Sequence, residues 1–201
     1  MTWVKVCGLM TPSDVAVAVE AGADAVGFVA VPSSPRFVEL NRVADLASGV
    51  PTMTVLLTVD VRSDEMPGLL AAAGVTAVQP YGADREAAAR AAAGAGYGVL
   101  FPVRAVPGVD VSVVPGIPLL DTPATDKLGG TGRSFDWCLA EDLGLDFVLA
   151  GGLGPGNVED AIRRVQPWGV DASSGLEHSP GRKDHGMVAD FIARAKRRET
   201  R

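Results

Sequence analysis

The chain has 201 residues, 47% of them hydrophobic and only 5% aromatic, and it carries a formal net charge of −6. So much apolar material rules out wholesale disorder and predicts a sizeable core built of Val, Leu, Ile and Ala. The acidic balance argues against nucleic acid or an anionic membrane as partner, and the two cysteines, Cys7 and Cys138, are too few for a disulfide scaffold or a four-ligand zinc site.

Short apolar runs alternate with helical patterns along the chain. Val4–Cys7 reads as the first strand, entered without a signal-peptide pattern, and Gly8 and the helix-start signal Thr11-Pro12-Ser13-Asp14 follow it. That helix sets Val15, Ala18 and Val19 on one face and stops at Ala21-Gly22. The second strand, Asp24–Val31, leads to a helix over Leu40–Ala47, and the third, Met53–Val59, to a helix over Asp64–Ala73 closed by Gly74. Val75–Gln79 is strand four, with an Ala-rich helix over Asp84–Ala93. Strand five is Tyr97–Val103, but Ala105–Gly116 behind it contains Pro107 and Pro115 and has no helical period. A short or distorted fifth helix is therefore expected.

Pro118–Asp121 is strand six, followed by a helix over Phe135–Leu143. Strand seven is Leu145–Ala150 with a helix over Asn157–Val165, and strand eight is Gly169–Ala172 with a closing helix over His185–Lys196. The basic run Lys196-Arg197-Arg198 suits a helix C-terminus. Glu20 and Asp24 interrupt the apolar stretch from Val15 to Val31, so no transmembrane helix is expected, and a reduced, cytoplasmic chain is the simplest reading.

Eight strand candidates, most followed by a helix, describe repeated βα units around a parallel sheet. A doubly wound sheet would carry a three-glycine loop after its first strand, whereas here that turn is Cys7-Gly8-Leu9-Met10. A (β/α)8 TIM barrel needs ~250 residues, with ~200 near its minimum. The expectation is one such barrel over residues 1–201, near minimal length and with tight loops.

In barrels of this kind chemistry sits at the C-terminal ends of the strands. Cys7, Gln79 and Asp121 end strands one, four and six; Arg36 lies in the loop after strand two. Gly151-Gly152 follow strand seven, and Asp171 with Ser173-Ser174-Gly175 marks the end of strand eight. Glycine turns in these last two units either satisfy tight connections or cradle a phosphate with backbone N–H groups. A strand-end thiol is a buried small hydrophobe or, with a lowered pKa, a base; a carboxylic acid beside it can donate a proton. Arg36 is either a solvated loop charge or a bidentate clamp on a substrate carboxylate. The Gly129-Gly130-Thr131-Gly132 loop is a mobile lid or a flexible connection, Cys138 reads as core, and His178 and His185 show no metal-ligand spacing.

Seven motifs stand in order: Lys5-Val-Cys-Gly, Gly22-Ala-Asp-Ala-Val-Gly-Phe, Ser34-Pro-Arg, Leu120-Asp, Gly129-Gly-Thr-Gly with Phe135-Asp-Trp, Leu149-Ala-Gly-Gly-Leu with Asn157-Val, and Gly169-Val-Asp with Ser173-Ser-Gly-Leu-Glu. Together they resemble the phosphoribosylanthranilate isomerases of tryptophan biosynthesis over nearly the whole chain. The resemblance implies an Amadori rearrangement of a phosphorylated small molecule, with no metal or organic cofactor. Asp121 would be the general acid that opens the furanose ring and Cys7 the general base that takes the C2 proton. Arg36 would pair with the anthranilate carboxylate, and Gln79 would face the substrate. Gly151, Gly152, Ser173, Ser174 and Gly175 would hold the phosphate, and Asp171 a sugar hydroxyl. Asp126 ranks below Asp121 as the acid because it lies beyond the strand end.

Two departures from the family pattern fall on one side of the expected mouth. The usual Gln-Leu-His-Gly after strand four is Gln79-Pro80-Tyr81-Gly82 here, and a Val-Phe-Val-Asn type ending of strand three is Leu57-Thr58-Val59-Asp60. Two other readings remain open. One is a dual-substrate isomerase that also serves histidine biosynthesis, which needs a second phosphate cradle after strands three and four. The other is a non-catalytic barrel that binds an aromatic phosphate. Both monomer and homodimer are compatible with the sequence.

Overall fold

The chain is described from a computed structural model covering residues 1–104, 106, 111, 113–121, 140 and 145–197. Eight parallel strands pair in sequence order: β1 (Trp3–Cys7), β2 (Ala25–Val29), β3 (Met53–Val59), β4 (Ala77–Tyr81), β5 (Gly98–Arg104), β6 (Ile117–Asp121), β7 (Val148–Leu149) and β8 (Gly169–Ala172). β8 pairs back onto β1, from Trp3 beside Gly169 to Val6 beside Ala172, and closes the barrel. The helices among the described residues are α1 (Pro12–Glu20), α2 (Leu40–Ala47), α3 (Met66–Ala73), α4 (Arg85–Gly94), α5 (Val158–Val165) and α6 (His185–Lys196). None of them is long and apolar enough to cross a membrane. This is the TIM barrel that the alternating pattern predicts. Apart from Ala140, the expected helix over Phe135–Leu143 lies outside the described residues, as do half of Ala105–Gly116, Asp126, Cys138 and the Gly129–Gly132 loop.

The two-residue period of the strands sorts side chains into two cores. In β1, Val4 and Val6 point outward into the layer shared with the helices, where Val26, Phe28, Leu56 and Phe191 are also buried. The alternate residues point into the barrel. At its N-terminal end Ala25, Val55, Ala77, Leu100, Leu119 and Val148 fill the interior, with Trp3 and Trp168 stacked at 5.0 Å beneath them.

Local chemistry explains where helices begin. Thr11 caps α1 and forms a capping box with Asp14, while Pro12 supplies a first-turn residue that needs no N–H partner. Asp14 also meets His185 Nε2 at 2.9 Å, tying the start of α1 to that of α6.

Most elements differ from their sequence-based limits by a residue or two at an end, and three places bear on the site. β4 starts two residues late and ends two residues later, with Pro80 and Tyr81 in register with Thr58 and Val59 of β3. Its pairing with β5 already ends at Val78, so the missing N–H of Pro80 interrupts no bond to that neighbour. β7 shrinks to two residues: Asp146 is still exposed on the approach, and Ala150 leaves the ladder while bonding Leu120. Finally, the loop after β8 contains a hairpin, β9 (Glu177–Ser179) and β10 (Arg182–Lys183), turning at Pro180-Gly181.

Candidate functional site

Inward positions at the C-terminal ends of the strands surround a cavity of about 420 Å³. Cys7 comes from β1, Gln79 and Tyr81 from β4, Asp121 from β6 and Asp171 from β8. Arg36 enters from the loop after β2, Gly151 and Gly152 from the loop after β7, and Ser173, Ser174 and Gly175 from the loop after β8. Every candidate site residue among the described residues therefore lines one space. The barrel period explains why: Lys5 and Cys7, or Gln79 and Tyr81, are two residues apart and share the inner face.

Lys5 is fully buried in this wall. Its ammonium donates to Asp171 Oδ2 and to Gln79 Oε1, both at 2.9 Å. Burial alone would strip its charge, but Asp171 and Cys7 beside it hold the ammonium above its ordinary pKa. Burial pushes the Cys7 thiol up, Lys5 pulls the other way and Asp171 adds to the push; the net direction is upward. The Cys7 sulfur thus stands beside a fixed cation. Gly27 of β2 makes this possible, because a Cβ there would meet Cys7 Sγ at 2.8 Å and Lys5 Cε at 3.2 Å.

The polar contacts continue across the barrel. Gln79 Nε2 donates to the Tyr81 hydroxyl at 2.9 Å, and that hydroxyl donates to Asp121 Oδ2 at 3.1 Å. One hydrogen-bonded chain thus runs from Asp171 on β8 through Lys5 on β1 and two side chains of β4 to Asp121 on β6. Burial, followed by the charge of Asp121, pushes the Tyr81 phenol far above its ordinary pKa, so it keeps its proton.

Arg36 is not a free loop charge. Its Nε and Nη2 donate to the two carboxylate oxygens of Glu177 at 2.7 and 2.6 Å. Glu177 also accepts from Lys183 Nζ at 2.7 Å and from the Gly181 N–H at 3.2 Å. Burial would raise this carboxyl, but Arg36 and Lys183 hold it below the usual range. Lys183 in turn donates to the Ser173 carbonyl at 2.9 Å, so the hairpin is bolted to the strand-eight loop. Gly8, at φ +75°, lets the guanidinium pass: a Cβ there would lie 2.6 Å from Arg36 Cδ.

Asp171 Oδ1 is buried with no hydrogen-bond partner among the described residues, although Oδ2 is taken by Lys5. Asp171 itself lines the cavity, and a buried carboxylate oxygen of this kind calls for a donor. In the loop after β7, Asn157 fixes the backbone by accepting from the Gly154 N–H and donating to the Gly152 carbonyl. A second cavity, of about 650 Å³, lies at the opposite end of the barrel near Trp168. Its rim charges are already paired, Glu159 with Arg194 and Arg197, and it holds none of the candidate groups.

Sequence reasoning gave no role to Lys5, Tyr81, Glu177 or Lys183. Lys5 carried a signal, since it is the one charge in an apolar five-residue strand and has the parity of Cys7. Glu177 and Lys183 bracket a Pro-Gly turn, the ordinary mark of a hairpin.

A sequence profile of the N-(5'phosphoribosyl)anthranilate (PRA) isomerase family matches residues 4–194. The chain is 40% identical to the N-(5'-phosphoribosyl)anthranilate isomerase of Nitrobacter winogradskyi, covering 98% of this chain and 94% of that one. Its fold superposes on the crystal structure of phosphoribosyl anthranilate isomerase from Thermotoga maritima with a TM-score of 0.86, at 35% identity over 98% of this chain and 99% of that one. A crystal structure of phosphoribosyl anthranilate isomerase in complex with reduced 1-(o-carboxyphenylamino)-1-deoxyribulose 5-phosphate gives a TM-score of 0.83, at 32% identity and the same coverage.

Proposed function

The chain belongs to the N-(5'-phosphoribosyl)anthranilate isomerase family, and we propose that it performs the family's rearrangement with Asp121 as general acid and Cys7 as general base. It is an isomerase of tryptophan biosynthesis that converts N-(5'-phosphoribosyl)anthranilate to 1-(2-carboxyphenylamino)-1-deoxyribulose 5-phosphate. The observation that carries the assignment of roles is the shared cavity, in which a carboxyl from β6 and a thiol from β1 face one space.

Asp121 gives its proton to the ring oxygen as the C1–O bond breaks, and the nitrogen lone pair forms the C1=N iminium. The Cys7 thiolate then takes the C2 proton, and the C–H electrons form C1=C2 while neutralising the iminium. The resulting enolamine tautomerises to the ketone. Each turnover leaves Asp121 ionised and Cys7 protonated, so one proton must pass back from the sulfur side to the carboxyl before the next. Lys5 serves the second step, because a fixed ammonium favours the thiolate that burial disfavours.

The remaining groups hold the substrate. Ser173, Ser174, Gly175, Gly151 and Gly152 form the rim that takes the phosphate; their position, in the loops after strands seven and eight, is where barrels bind that group. Asp171 accepts a sugar hydroxyl, and Arg36, with Nη1 clear of Glu177, faces the anthranilate carboxylate. Gln79, fixed between Lys5 and Tyr81, limits the space beside the ring.

The dual-substrate alternative needs a second anion cradle after β3 and β4. There the Asp60 carboxylate accepts from the Ala83 N–H at 3.0 Å, which puts a negative charge in that position and favours a substrate with one phosphate.

The purified chain is expected to consume N-(5'-phosphoribosyl)anthranilate, read as loss of anthranilate fluorescence, without added metal. Cys7→Ala and Asp121→Asn should each lower kcat by about 10²-fold or more, the scale of a positioned acid or base. An Asp121→Asn enzyme near wild type beside a dead Asp126→Asn enzyme would transfer the acid role to Asp126.

A further inference from the structure

The cavity wall includes a phenol given no part so far in acid, base or substrate-binding chemistry. Tyr81 stands at the end of β4, where the chain departs from its family's usual histidine, and its hydroxyl touches the carboxyl of Asp121. We infer that Tyr81 is the positioning residue of the general acid, holding the Asp121 carboxyl in one rotamer through a hydrogen bond that is itself braced by Gln79 and Lys5. The inference rests on the reading of Asp121 as the acid.

The geometry is over-determined from behind. Lys5 cannot swing away, because it is buried and held by Asp171. It fixes Oε1 of Gln79, which leaves Nε2 aimed at the Tyr81 oxygen. Accepting that bond turns the hydroxyl proton of Tyr81 outward, toward Asp121 Oδ2 at 3.1 Å. A phenol is the right group for the post. It donates and accepts at one atom, so it can follow the carboxyl through both protonation states, donating to the carboxylate and accepting from the acid. It also remains neutral, since burial keeps its own proton on.

The second consequence is directional. With Oδ2 engaged by the hydroxyl, rotation of the carboxyl about its Cβ–Cγ bond is resisted, and the acid meets each substrate in the same attitude. Placement of this kind contributes to rate only where the proton is in transit, so its loss should appear in kcat and not in KM.

Tyr81→Phe keeps the ring and removes the oxygen. It should lower kcat about tenfold, the scale of one hydrogen bond to a charged group, with KM within about twofold of wild type. The same substitution made in Asp121→Asn should cost less than about twofold of the residual rate, because there is no acid left to aim. Three results would overturn the inference: a Tyr81→Phe kcat within twofold of wild type, a loss confined to KM, or a tenfold loss repeated in the Asp121→Asn background. Should Asp121→Asn itself retain wild-type kcat, the acid assignment falls and the positioning role falls with it.

Discussion

At the N-terminal end of the barrel the interior is filled by Trp3, Ala25, Val55, Ala77, Leu100 and Val148, while further along the same strands the inner face presents Lys5, Cys7, Gln79, Tyr81, Asp121 and Asp171. A step of two or four residues along a strand changes the interior from close-packed hydrocarbon to a polar network. The two ends follow different rules. The lower end gains stability with every apolar atom it buries. The upper end removes a lysine and an aspartate from water and recovers that desolvation only through their mutual contact, a poor bargain compared with packed hydrocarbon. Its arrangement makes sense as chemistry: the ammonium that costs stability is the one that favours the thiolate of Cys7.

Lys5→Met tests this division most severely. It should lower stability by about 3–5 kcal/mol, because Asp171 is left buried without its cation, and it should lower kcat as well, because Cys7 loses the charge that favours its thiolate. Urea unfolding and steady-state rates read both; a Lys5→Met protein as stable and as active as wild type would erase the distinction between the ends. Leu100→Ala probes the lower end alone. It should lower stability by about 2–5 kcal/mol, seen as a shifted urea midpoint, with kcat within about twofold of wild type. A parallel loss of kcat would show that the ends are coupled. Arg36→Ala, at the rim, should be the mildest: KM rises about tenfold while kcat changes little, since the carboxylate it faces keeps its charge through the reaction.

The fold was legible because its cause is periodic. Eight apolar runs with punctuating glycines and helix-start signals mark βα units however the details fall, and the strand ends themselves point to Cys7, Asp121, Asp171 and the glycine loops. What escaped was set by contact rather than by period. The run Val75–Gln79 hid the end of β4, because a proline at position 80 looks like a stop unless it is known that the neighbouring ladder has already ended. That error moved Tyr81 from the inner wall to a loop and concealed its contact with Asp121. Lys5 is a lone charge in an apolar strand, and only closure of the barrel supplies its partner Asp171, 166 residues away. Arg36 was correctly placed at the mouth, but its bond to Glu177 depends on a hairpin that no apolar pattern announces.

The clasp between Arg36 and Glu177 also bears on how such a barrel can be rebuilt. Loops on a (β/α)8 scaffold are usually thought of as separate parts, each exchangeable without regard to the others. Here the connection after β2 and the hairpin after β8 share two hydrogen bonds to one carboxylate, and Lys183 carries the tie on to Ser173. They form one mechanical unit, so a graft that brings in a new loop after β2 must bring its counterpart after β8, or leave half a handshake buried at the rim.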